Sequence, residues 1–410
     1  MDFTPRKWID STRLLVRDLA KDGKGNILLA VSAGWFLSIG IRYTYPSLLP
    51  FLRDAFEMDL TIAGLLLALL WVAYALGQFP GGYLGDRYGA GNMLLISTVV
   101  SIGAVLLVVT SVSIFTLFLG TIAFGFATAL YGPMRYTIFT DIYTQRAGTA
   151  VGLTLAAGSI GNTILPASAA TIAAYTSWRL GFGSVLPLFL GVAVGLYLYV
   201  PKRTSGSEKK TELSFNLLSQ VYSGIRRGGI PIVVAVHILL AFAAQGFLGF
   251  YPTYLIEVKG FSPQVAATLY AIYFGIGILI QPLTGMGRDR YGSRYTLVTI
   301  SGLFFIGIFA VQFGETIVHF LILSIFISHR NGAAVISNTH IAEALDSEIK
   351  GSGLGLLRTI WILIGASSPL LVGYLGDLGR LEGAFLLLAM LAGIATLLAA
   401  FVPNKRINTS

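Results

Sequence analysis

One turn is written twice in this chain. Gly82, Asp86, Arg87, Tyr88 and Gly89 spell Gly-x-x-x-Asp-Arg-Tyr-Gly, and Gly285, Asp289, Arg290, Tyr291 and Gly292 spell it again 203 residues later. Each copy directly follows a long apolar run. A charged, glycine-bounded turn of this kind fits the short loop between two membrane helices. Its recurrence at half the chain length indicates a duplicated molecule.

Other residues keep the same register. Gly148 and Gly351, Gly152 and Gly355, and Gln78 and Gln281 are also 203 apart, and Tyr45-Pro46 is echoed by Tyr251-Pro252 at 206. The elements recur in the same order, which implies parallel halves related by an axis along the membrane normal.

A bilayer core takes about 20 apolar residues per helix. Twelve runs meet that rule, over 27–50, 61–84, 92–111, 114–140, 148–175, 180–200, 230–256, 264–287, 295–314, 316–342, 352–376 and 382–403. The chain is 55% hydrophobic and 11% charged, against about 25% charged in a soluble domain, so membrane residence is close to forced. The predicted class is an all-α integral membrane protein of 12 transmembrane helices in two pseudo-symmetric six-helix bundles. The predicted organisation is a tail (1–26), a first bundle (27–200), a polar connector (201–229), a second bundle (230–403) and a short tail (404–410). Residues 1–25 carry six basic and four acidic residues without a long apolar core, so a surface amphipathic helix around Trp8 to Leu19 is expected rather than a signal peptide.

Basic residues set the orientation. With the N-terminus inside, twenty of the 28 Lys and Arg lie in inner segments and only Arg53, Arg179, Lys259 and Arg380 in outer loops. Both termini are therefore predicted to be cytoplasmic, in a multi-pass plasma-membrane protein. The net charge of +9 is then mostly a topology signal, so no nucleic-acid partner is expected. The bilayer and a small-molecule substrate are the expected partners, and a monomer the expected working unit. Without cysteine, and with four scattered histidines, no metal site or cofactor is expected.

Twelve helices in parallel halves, with this turn after helices 2 and 8, resemble the major facilitator superfamily over nearly the whole chain. The resemblance implies alternating access, with Asp86 and Asp289 facing helix N-termini and locking the inner gate in the outward-open state. Gly82, Arg87, Gly89, Gly285, Arg290 and Gly292 complete that gate motif. The basic residues that usually follow the second glycine are absent from the first copy (Ala90, Gly91), and only Arg294 remains in the second. Helix 1 also resembles the anion:cation symporter and organophosphate antiporter branches, which carry an Arg eight residues before a Pro, here Arg42 and Pro50. The symporters' Asp before that Arg is Ile41 here, their helix-4 Glu falls near Thr128 or Ala129, and the antiporters' second Arg falls near Ala244.

Four arginines lie inside predicted helices: Arg42, Arg135, Arg330 and Arg358. All 19 acidic residues fall in tails, loops or helix ends. A charge at a helix centre costs about 2.5–3.5 kcal/mol unless paired or hydrated, and an anionic substrate in a wet cavity supplies the missing reason. None of the four is copied by the repeat. By depth, Arg42 and Arg330 are the expected anion clamp, with Arg135 and Arg358 nearer the inner ends. Tyr43, Tyr74, Gln78, Tyr273, Gln281 and Trp361 are further candidate binding residues, although each is also an ordinary membrane-helix residue. Proton candidates are His237, His329, Glu257 and Asp141. Exchange or uniport needs none of them and is preferred to proton symport.

The function expected is secondary active transport of a small organic anion. A drug or hydrophobic-compound exporter is the rival, but residues 117–125 hold no Arg and Gly158-Ser-Ile-Gly161 no Gly-Pro motif. A non-transporting ligand sensor ranks lower, and no nucleophile–base pair suggests an enzyme.

Overall fold

The computed structural model describes residue 19 and residues 21–203, 229–345 and 350–404. The stretch expected to be amphipathic around Trp8, most of the connector and nearly all of the C-terminal tail lie outside the described residues. Twelve helices among the described residues are long and apolar enough to cross a membrane, and no strand occurs among them. They are α1 (Lys24–Phe56), α2 (Leu60–Tyr88), α3 (Ala90–Val109), α4 (Ile114–Ile142), α5 (Ala147–Tyr175), α6 (Trp178–Tyr199), α7 (Ile230–Glu257), α8 (Pro263–Tyr291), α9 (Ser293–Phe313), α10 (Ile317–Ala344), α11 (Gly353–Asp377) and α12 (Leu381–Ala399). Every predicted run has its helix. At 33 residues, α1 is about 50 Å long, well beyond the ~30 Å of a hydrocarbon core.

Breaks and prolines coincide only in part: α6 breaks between Gly183 and Leu186 and α11 at Ser367, each just before a segment with a proline in its first turn, Pro187 and Pro369. Pro46, Pro50, Pro80, Pro133, Pro166, Pro252 and Pro282 all lie within continuous helices, as membrane helices tolerate when neighbours satisfy the freed carbonyls. α10 is instead interrupted at His329, between Ile317–Ser328 and Arg330–Ala344. α11 is interrupted at Ser367, between Lys350–Ala366 and Ser368–Asp377. At the α10 break, Asn331 Nδ2 donates to the Ser328 carbonyl (3.1 Å) and Ser328 Oγ to the Tyr273 carbonyl of α8 (2.9 Å).

Lipid tails give apolar helices no hydrophobic reason to associate, so close packing between small residues must do it. α1 meets α5 at Gly40 and Gly161, where an added Cβ at Gly161 would lie 2.3 Å from the Phe36 carbonyl oxygen. α2 meets α4 at Gly125, whose added Cβ would lie 2.4 Å from the Leu70 carbonyl oxygen.

The repeated turns have matching geometry. Gly89 and Gly292 adopt φ of 92° and 89°, a region that L side chains avoid. Each amide donates four residues back, Gly89 to Gly85 (2.8 Å) and Gly292 to Arg288 (2.7 Å). Each glycine also packs on the chain leaving the last helix of its half. A Cβ at Gly89 would lie 2.4 Å from the Lys202 carbonyl oxygen, and one at Gly292 2.0 Å from Asn404 Oδ1. Arg203 donates to the Arg87 carbonyl and Arg294 to that of Val402, both at 2.7 Å.

The halves meet asymmetrically along the membrane normal. At the face opposite the termini, Arg53 of α1 pairs with Glu257 of α7. There Asp377, the last residue of α11, accepts the Leu60 and Thr61 amides at the start of α2, both at 2.8 Å, and the Thr61 hydroxyl. Two close approaches seal the same seam: an added Cβ would lie 2.0 Å from the Leu60 carbonyl oxygen at Gly373, and 2.3 Å from that of Pro369 at Gly64. Towards the termini, Gly82, Gly148, Gly152, Gly285 and Gly355 have nothing within 4 Å of an added Cβ. Among the described residues, the ion pair, the Asp377 bonds and the two glycine approaches close the molecule at the far face.

Candidate functional site

The four arginines gather where the two halves face each other. α1 carries Trp35 and, two turns on, Arg42. The Arg42 guanidinium lies 3.7 Å from the Tyr74 ring centroid, 5.4 Å from that of Trp71 and 5.6 Å from that of Trp35. Arg135 of α4 lies 3.4 Å over the same Trp35 ring and 4.4 Å over Tyr136. It also donates to the Gly132 carbonyl (3.1 Å) and the Tyr136 hydroxyl (2.7 Å). Arg42 is 1% and Arg135 2% exposed. Three of their N–H groups, at Arg42 Nε and Nη1 and Arg135 Nη1, have no hydrogen-bond partner.

The second half supplies the other two. Arg330 opens the second segment of α10, so the break at His329 sets its place. Its Nε donates to the Leu240 carbonyl of α7 (2.9 Å), and it lies beside Tyr273 of α8 and Tyr43 of α1. Arg358 of α11 is exposed, yet its neighbours are Tyr74 and Tyr136 of the first half. Its exposure is therefore to the cleft between halves. Tyr43 and Tyr74 link the set, Tyr43 lying near Arg42 and Arg330 and Tyr74 near Arg42, Arg135 and Arg358. Among the described residues no carboxylate pairs with any of the four. Cation–π contacts recover about 0.5–2 kcal/mol each, which offsets only part of the cost of a charge at membrane depth.

Arg42 shares the Trp35 ring with Arg135, and Tyr43 lies near both Arg42 and Arg330.

The other expected residues divide between the cleft and the walls. Tyr43 packs on Trp71 (5.5 Å between centroids) and Phe274 (4.7 Å), and Tyr273 on Phe274 (4.8 Å). Gln78 points its Nε2, unpartnered, towards α4 beside Gly132. Gln281 is half-buried on α8. Trp361 packs on His237, with ring centroids 4.3 Å apart.

The proton candidates are scattered. His237 is 3% exposed, with Nδ1 3.0 Å from Ser337 Oγ. His329 folds back to donate to the Ile325 carbonyl of its own helix (2.8 Å). Glu257 is committed to Arg53 at the far face, and Asp141 lies one residue from the termini-side end of α4. In the gate motif, Asp86 is exposed and the Asp289 side chain is 62% exposed, 3.7 Å from Arg288. Arg288, buried, reaches Glu343 at the end of α10 (2.6 Å) and Ser293 (3.3 Å).

Sequence reasoning missed Trp35, Trp71, Tyr136 and Phe274. The one available signal was the spacing of Trp35 and Arg42, seven residues or two turns apart on one helix face.

The profile of the Major Facilitator Superfamily matches residues 31–337. A hexuronate transporter of Bacillus subtilis is 27% identical over 378 residues, covering 85% of this chain and 87% of that protein. A probable sulfoacetate transporter of Cupriavidus necator is 22% identical over 385 residues, covering 86% and 87%. Among solved structures, a bacterial homologue of the human lysosomal transporter Spinster, inward-facing and unoccupied, superposes with a TM-score of 0.76 at 15% identity, covering 93% of this chain and 97% of that one.

Proposed function

The chain belongs to the Major Facilitator Superfamily and is a transporter, not an enzyme, and we propose that it moves a small organic anion by secondary active, alternating-access transport. In this reading residues 27–200 and 230–403 are the moving bundles, joined by the connector over 201–229. Both termini are cytoplasmic, and the working unit is a monomer in the cell membrane. The observation that carries the anion is the set of unfilled N–H donors on Arg42 and Arg135. A buried donor without an acceptor is costly, more so when charged, and a carboxylate or sulfonate offers acceptors for the guanidinium fork. The names of the hexuronate and sulfoacetate relatives lend support to an acidic substrate.

Arg42, Arg135, Arg330 and Arg358 bind or guide the anion, with Tyr43, Tyr74, Tyr273, Gln78 and Gln281 shaping the cavity. Asp86 and Asp289, with their flanking glycines and arginines, form the cytoplasmic gate. The aromatic lining of Tyr43, Trp71 and Phe274 also suits an apolar compound, which keeps a hydrophobic-compound exporter as the second reading. Uptake into proteoliposomes separates the two. Labelled carboxylates and sulfonates are expected to enter, and Arg42→Ala and Arg330→Ala to abolish entry. Equal transport of neutral compounds, indifferent to both substitutions, would sink the anion reading.

A further inference from the structure

A groove on the outer wall of the first half lies apart from the arginine site. It runs between α1 and α6 and encloses about 480 Å³. Leu29 and Leu188, which line it, are 70% and 51% exposed, so it opens on the surface that meets lipid. The two helices run antiparallel. Asn26 and Tyr199 line the end nearest the termini, and Leu37 and Pro187 the opposite end. The helices nearly touch at Ala30, whose Cβ would lie 3.4 Å from one added at Gly195. They part at Gly191, where an added Cβ would meet nothing within 4 Å. Asn26 and Leu37 are about 16 Å apart along α1. That is one leaflet's share of a hydrocarbon core about 30 Å thick.

Polarity is confined to one end. Asn26 and Tyr199 supply the polar side chains of the lining, and the rest of it is apolar. Just beyond them the chain is basic. Lys21 and Lys24 precede Asn26, and Lys202 and Arg203 follow Tyr199. Asp22 is the one acidic residue in those two short stretches. Arg203 gives one donor to the Arg87 carbonyl. Among the described residues no carboxylate pairs with Lys21, Lys24 or Lys202. An apolar trough one leaflet deep thus ends in positive charge at headgroup level.

We propose that this groove binds one anionic glycerophospholipid of the termini-side leaflet. An acyl chain lies between α1 and α6, and the headgroup phosphate meets Lys24 and Lys202. Lysine stems follow apolar surface while their ammonium groups reach the interface, and basic residues at that level attract anionic lipid. The Asn26 amide and the Tyr199 hydroxyl can donate to the ester carbonyls between chain and phosphate. A neutral lipid would fill the trough but leave the lysines without a partner. The site also backs the helix that presents the arginines. At about 100° per residue, Trp35 and Arg42 lie on the face of α1 opposite Ala30, Ala33 and Leu37. Filling the groove therefore steadies the seat of α1, whichever substrate the protein carries.

The test titrates the purified full chain with phosphatidylglycerol or with phosphatidylcholine of the same acyl chains, and counts bound lipid by native mass spectrometry. The wild type is expected to retain one phosphatidylglycerol under conditions that strip phosphatidylcholine. Equal retention of the two would overturn the proposal. Lys24→Gln with Lys202→Gln, both surface changes, is expected to weaken phosphatidylglycerol binding about 25-fold, roughly fivefold for each lysine. Unchanged binding counts against the site. Gly191→Leu fills the groove and is expected to lose the lipid, whereas Gly103→Leu, at an equally open glycine of α3, is expected to keep it. Equal effects of the two would reduce the signal to the general lipid coat and sink the proposal. The chain has no cysteine, so Leu188→Cys can carry a single fluorophore. Brominated phosphatidylglycerol is expected to quench it more strongly than brominated phosphatidylcholine. A label shielded from both would place another occupant there, such as residues 1–18 of this chain, and would refute lipid binding.

Discussion

At the scale of single residues, the site is a set of arginines stabilised mainly by rings. Trp35 is the pivot, since Arg42 and Arg135 both stack on it. Lys does not replace a stacked, forked guanidinium, so Arg42→Lys is expected to reduce anion uptake at least about tenfold, a loss of roughly 1.4 kcal/mol. Trp35→Leu is expected to weaken anion binding and to lower the melting temperature together, because it uncovers two buried charges at once. Titration calorimetry and a detergent melt check both. The arginines were legible in the sequence because a charge inside an apolar run has few explanations. Trp35 and Tyr136 were not, because aromatic residues are ordinary in such runs and only three-dimensional placement makes them partners. The turn glycines were legible too. Gly292→Ala is expected to cost about 1–2 kcal/mol from its left-handed backbone alone, read as a lower melting temperature, with a further penalty from Asn404.

At the scale of elements, all twelve helices were visible as apolar runs, but the interruption of α10 was not. Proline marks the breaks of α6 (Pro187) and α11 (Pro369), yet seven other prolines lie within unbroken helices and α10 breaks at His329 with no proline beside it. The reason is that backbone groups in a membrane are satisfied by neighbours, here by Asn331 and by Ser328 reaching α8. The far-face seam was hidden likewise: Asp377 reads as one more acid at a helix end until α2 is brought against it. Its two amide bonds act as a cap supplied by another helix, and caps are worth about 0.5–2 kcal/mol. Asp377→Ala is therefore expected to shift the conformational balance roughly fivefold towards a state open at that face. The measurement is the labelling rate of a cysteine placed at Thr61. Gly373→Val acts more strongly, because its side chain would collide with the Leu60 carbonyl and hold the seam open.

At the scale of the whole molecule, the far-face seam is made of two kinds of contact that respond differently to the surrounding water. Glycine-to-backbone packing is indifferent to dissolved ions. The Arg53–Glu257 pair and the Asp377 cap sit at a partly wetted rim, where screening over a Debye length of about 10 Å at 0.1 M salt weakens them. A barrier sealed partly by such bonds has an opening equilibrium tied to the ionic strength of the medium it borders. Raising salt on that side alone is expected to speed labelling at Thr61, and Glu257→Gln is expected to remove much of the dependence. The protein would then work against a different conformational resting point in brackish and in dilute surroundings, with no change in the substrate site.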